Sequence, residues 1–176
     1  MRKPILKWEL IGIAVISSVG ALLHFAFEWS GQLPPIGVFA AVNESVFEHL
    51  KLTYWPALLY TVTEYRLIRE SANNFLVAKA ASIYLMPAVI VALFYAYTTA
   101  TGIESLVVDI MIFIGAIALG QLTSYKILTR PKLRNRCNIA ALAGIVSLGV
   151  VYAVFTFYPP RLPIFLDPVS GKYGIP

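Results

Sequence analysis

Two histidines and a few carboxylates carry most of the chemistry available to this chain. His24 and Glu28 stand four residues apart, on one face of a helix. Glu48 and His49 are neighbours in the run Asn43-Glu44-Ser45-Val46-Phe47-Glu48-His49-Leu50-Lys51, and Asp109 follows later in the chain. Imidazoles and carboxylates together suit a divalent metal such as zinc, manganese or iron, with water completing the shell. In that reading His24 and His49 are ligands, Glu28 or Asp109 supplies an oxygen, and Glu48 is a further ligand or the catalytic general base of a hydrolytic or lipid-directed reaction. The same groups suit a proton or cation carrier, because histidine titrates near neutrality, and they also suit a non-catalytic subunit whose polar residues lock helices together. No HExxH and no Gly-rich phosphate loop is present. Ser45 lies one turn before His49, but no nucleophile-elbow or oxyanion motif accompanies it.

The elements that hold these residues are membrane helices. Of the 176 residues, 59% are hydrophobic and 13% charged, and the mean hydropathy is +0.74, which places the chain among polytopic membrane proteins. Five apolar segments are read, approximately 8–27, 46–68, 75–98, 103–128 and 138–157. They predict an all-α bundle over 1–158 and an ordered tail over 159–176. The second segment is unusual. Its uninterrupted apolar part, Leu52 to Thr63, covers only about 18 Å of a hydrocarbon core about 30 Å thick. Extension back to Val46 and on to Ile68 completes it, and draws Glu48, His49 and Lys51 into the outer part of the membrane. Ionisable residues there mark a functional site by default. The first segment follows Arg2, Lys3 and Lys7 and is longer than a signal-peptide core, so it reads as a retained helix. Cys137 is the single cysteine and has no metal-binding or redox spacing.

Charge gives the expected topology. Of the 14 Lys and Arg residues, all but Lys51, Arg161 and Lys172 fall on one side if the five segments alternate. The positive-inside bias makes that side cytoplasmic, with the N-terminus inside and the tail outside. The pI near 9.4 then reflects topology and contact with membrane lipids rather than nucleic acid. A homo-oligomer or a membrane-complex partner is compatible with this reading.

Local patterns add detail. Asn43 is the expected N-cap of the second helix and Glu44 a first-turn carboxylate. Glu48 and Lys51, three residues apart, can neutralise one another. Ser17, Gly20 and Ala21 continue the His24 face, and Ala116 and Gly120 continue that of Asp109. Such small residues predict close helix contacts that bring His24, His49 and Asp109 together. The Pro-rich ending is too apolar to be disordered and reads as a flap over the outer mouth, where Arg161 pairs with Glu28 or Glu44.

The pattern His24-x-x-x-Glu28-Trp29, the run Val42 to Lys51 and the ending Phe165-x-Asp167-Pro168-x-Ser170-Gly171-x-Tyr173-Gly174-Ile175 resemble a family of small prokaryotic integral membrane proteins of unknown function. The resemblance implies a cell-membrane location and imports no activity, cofactor or catalytic residue.

Overall fold

A computed structural model describes residues 2–175. It contains α1 (Arg2–Trp29), a short α2 (Pro34–Gly37), α3 (Val46–Ile68), α4 (Phe75–Thr101), α5 (Leu106–Leu128), α6 (Asn135–Phe157) and a 3-10 turn at Pro163–Phe165. The fold is all-α. Among the described residues the only extended pairing is an isolated bridge between Leu166 and Tyr173.

The five long helices have 23 to 28 residues, or roughly 35–42 Å at the helical rise. Four of them, α1, α4, α5 and α6, are long and apolar enough to cross a bilayer, which makes the chain an integral membrane protein. α3 is as long but carries Glu48, Lys51, Glu64 and Arg66. It is the most enclosed of the long helices: α1 and α4 pack along it, α6 touches it, and most of its residues lie inside the bundle.

Consecutive long helices run in opposite directions. Ile5, Ile68, Phe75, Ala78 and Leu128 form a cluster that joins the start of α1, the end of α3, the start of α4 and the end of α5. Asn74 fastens this end. Held at φ 54°, it donates to the carbonyls of Ile127 and Pro131 and accepts from the Leu133 N–H, tying α4 to the α5–α6 link. Phe27, Ala40 and Val42 cluster at the opposite end, where Phe165 of the tail also lies against Phe47 with ring centres 4.4 Å apart. The first is called here the basic end and the second the histidine end.

Two glycines allow the close approaches. Pro56 has no N–H for the Leu52 carbonyl, and Gly20 of α1 lies against that oxygen; a Cβ at Gly20 would stand 2.5 Å from it. Gly149 of α6 gives room to the Tyr54 ring, whose hydroxyl donates to the Ile145 carbonyl at 2.8 Å. Ala21, expected on the same inward face as Gly20, is exposed.

Candidate functional site

The histidine end is built by the segment between α1 and α3. α1 stops where Gly31 and Gln32 take positive φ, and Pro34 starts α2 with the fixed φ that suits a first turn. Two α3 side chains then hold this segment down: Trp55 Nε1 donates to the Val38 carbonyl at 2.8 Å, and Lys51 Nζ to the Gly37 carbonyl at 2.7 Å. The cap of α3 is Ser45, whose Oγ accepts from the Glu48 N–H at 3.4 Å. This corrects the expectation for Asn43. Its Oδ1 accepts from the Ser45 N–H at 2.9 Å while its Nδ2 donates to the Gly174 carbonyl at 2.8 Å, so it braces the loop and the tail. Glu44 is consequently in no helical turn and swings over α1 and α3.

There it meets both histidines. His49 Nε2 is 3.4 Å from one Glu44 oxygen, His24 Nε2 is 3.9 Å from the other, and the imidazole centres are 5.1 Å apart. One ligand atom from each of the three residues lies within 4.8 Å of the others. His49 Nδ1 is 2.9 Å from the Ser45 carbonyl. A carbonyl can only accept, so Nδ1 carries a proton and Nε2 is the atom presented to Glu44. The His49 ring holds the Glu44 carboxyl below the usual carboxylate range, against partial burial and the nearby charge of Asp167. About half of the Glu44 side chain remains exposed, so the group opens to water.

The other residues singled out in the sequence go elsewhere. Glu28 is exposed at the end of α1 and is not in the three-residue group. Asp109 accepts from the Tyr97 hydroxyl at 2.6 Å, and that oxygen in turn accepts from the Ser105 N–H at 3.1 Å. It thereby fastens α5 to α4 rather than joining the histidines. Glu48 turns into the core, paired with Lys51 at 2.5 Å and accepting from the Val42 N–H at 3.0 Å. Lys51 also donates to Thr156 Oγ1 at 2.8 Å, so this pair braces α3 to α6 and to the α1–α3 segment. A carboxylate with these partners, only 2% exposed, is a strut rather than a base open to substrate.

The tail packs beside the cluster. Asp167 accepts from the Val169 and Ser170 N–H groups and, at 2.5 Å, from the Ser170 hydroxyl, making the turn that sets the Leu166–Tyr173 bridge. Burial opposes its ionisation, but these donors hold it below the usual aspartate range. Arg161 is exposed and forms no ion pair among the described residues, so its expected pairing with Glu28 or Glu44 is not formed.

A second group of ionisable residues occupies the basic end. Lys79 Nζ lies 2.8 Å from Glu9 and 2.5 Å from Glu64, and all three are inside the bundle. By charge pattern alone Lys79 counts only as one of the basic residues on the side expected to be cytoplasmic. The signal that would have found the cluster is one ionisable residue within the apolar run of each of three helices.

The model of a family of unknown function (DUF6512) matches residues 1–175. The chain belongs to the DUF6512 family. No curated protein and no solved structure matches it.

Proposed function

We propose that the protein binds a divalent transition metal between His24, Glu44 and His49 at an outward-facing membrane end. The carrying observation is the orientation of His49. With Nδ1 given to the Ser45 carbonyl, Nε2 faces a carboxylate 3.4 Å away, an arrangement satisfied by a proton on Nε2 or by a metal ion between the two groups. A backbone carbonyl on the far nitrogen is also the usual support of a ligating histidine. Two imidazoles and one carboxylate match the ligand sets of zinc and ferrous iron and leave a position for water. Manganese, which prefers more oxygens, fits less well. When bound, such a metal supplies a water acidic enough to react near neutrality, and the half-open setting suits a hydrolytic or lipid-directed substrate.

The proposed topology has all five long helices crossing the membrane, α3 included, with a cytoplasmic N-terminus and an extracytoplasmic tail. Its support is the gathering of exposed Lys3, Lys7, Arg130, Lys132, Arg134 and Arg136 at the end opposite the histidines, where they face anionic lipid. Reporter fusions after Lys132 and after Tyr173 should read opposite sides; one shared compartment overturns this topology. For the site, elemental analysis of purified protein should find stoichiometric metal that His24→Ala, Glu44→Gln and His49→Ala each remove. Wild-type protein without metal, and with a melting temperature indifferent to zinc, ferrous iron and EDTA, overturns the metal reading.

A further inference from the structure

The buried cluster at the basic end has more acid than base. Glu9 on α1 and Glu64 on α3 are each 0% exposed, and Lys79 on α4, 2% exposed, is the cation between them. The remaining partners are neutral. Ser124 Oγ of α5 donates to Glu9 Oε1 at 2.6 Å, and Gln121 Nε2 donates to the Glu9 carbonyl. The titratable Tyr60 hydroxyl of α3 is spent on the Trp8 carbonyl. Glu9 Oε2 and both Glu64 oxygens are fully buried and receive no hydrogen bond, Glu64 Oε2 having only its ion-pair contact with Lys79. Both carboxyl groups nonetheless close on the same Lys79 nitrogen, at 2.8 and 2.5 Å, which sets the two acids side by side. Two ionised carboxylates are acceptors only and cannot bond to each other; one carboxylic acid and one carboxylate can.

We propose that Glu9 and Glu64 form a binding site for one proton, shared between their carboxyl groups and held against the Lys79 ammonium. The proton makes the cluster electrically neutral, with one carboxylate and one ammonium. It also supplies the missing donor. Burial of an uncompensated charge in a hydrocarbon setting is avoided by taking up such a proton. A metal ion is the poorer occupant, because the ammonium already stands between the carboxylates and would repel it. The Glu48–Lys51 pair at the other end provides the internal contrast: it has one acid and one base, with Lys51 and the Val42 N–H on one carboxylate oxygen and the Thr156 hydroxyl 3.4 Å from the other, and needs no proton. The inference is independent of any metal at the histidine end.

The test uses full-length protein in lipid vesicles with EDTA present, read by infrared spectroscopy in the protonated-carboxyl region at neutral pH. Wild type should show one such buried group. Glu9→Gln and Glu64→Gln should each abolish it, since the surviving carboxylate then pairs alone with Lys79, and Lys79→Met should raise the count to two. Raising the pH should remove the wild-type band. A second readout needs no variant. The folded protein holds a proton that the unfolded chain has already lost above the ordinary carboxylate range, so its thermal stability should fall as the pH rises. Absence of the band in wild type overturns the proposal. So does a band that survives both Gln variants, or a stability that does not fall with rising pH. Loss of the band on adding sodium or zinc at constant pH would show that a metal ion is the occupant and would equally overturn it.

Discussion

The two ends of the bundle each bury an acid beside a base, yet they are built differently. At the histidine end Glu48 and Lys51 form a one-to-one pair with backbone and Thr156 partners, and His24, Glu44 and His49 stand outside it, partly exposed. At the basic end two carboxyl groups share one ammonium and three of their oxygens receive no hydrogen bond. Burial alone therefore does not distinguish a strut from a site; the balance of donors and acceptors does.

The comparison is broken most directly by removing the lysines. Lys79→Met should cost about 3–5 kcal/mol, the usual effect of deleting one partner of a buried pair, measured by thermal or denaturant unfolding in detergent. Lys51→Met should cost a similar amount, and Glu48→Gln/Lys51→Met should recover most of it. A Lys51→Met protein as stable as wild type would remove the strut assignment.

Metal sharpens the difference between the ends. At a free concentration about 100 times the dissociation constant, zinc should stabilise the protein by about 2.7 kcal/mol. That increment should vanish in His49→Ala and persist in Glu64→Gln, because separated clusters act additively. An increment lost equally from both variants would show that the ends are coupled.

A smaller effect is expected at Asn43, whose amide joins the loop to the tail. Asn43→Ala should cost about 1 kcal/mol for each neutral bond lost and hasten proteolysis after Tyr158; unchanged cleavage would show that the tail is held by Phe165 packing instead. The smallest effect is acid loosening of the Asp167 turn. Its carboxyl is held below the ordinary aspartate value of 3.8, so its contribution is present above that value and is lost as the pH falls through the lower, folded one. Asp167→Asn should loosen the tail at neutral pH and abolish this acid dependence, as read by hydrogen exchange of Gly171 and Tyr173.

Much of the architecture was legible because hydropathy reports helix length directly. The apolar runs around Ile83, Ile117 and Ile145 left little choice but long helices, and their ends differ from expectation by a few residues, as at Thr101 and Asn135. The site was legible in part. His24 and His49 could be placed at one depth because each lies near a helix end. Glu44 could not be seen as their partner, because its direction depends on which of Asn43 and Ser45 caps α3, and the deciding bond runs from Asn43 to Gly174, 131 residues away. Asp109 was drawn to the histidines by its small-residue face, but a phenol on the preceding helix is closer than either imidazole. Lys79 was hidden for the opposite reason: near a helix start it reads as a surface charge, and only the packing of α1, α3 and α4 reveals its burial.

That packing bears on how the protein is made. α3 is the long helix that falls outside the four apolar spans; it carries a carboxylate whose counterion is on α4 and which neighbours another on α1. For α3 to lie in lipid, those partners must be at hand when it leaves the translocation channel. If α3 spans the bilayer as proposed, helices 1, 3 and 4 are expected to enter it as a group, and a nascent chain that ends before Lys79 should leave α3 in the channel or on the membrane surface.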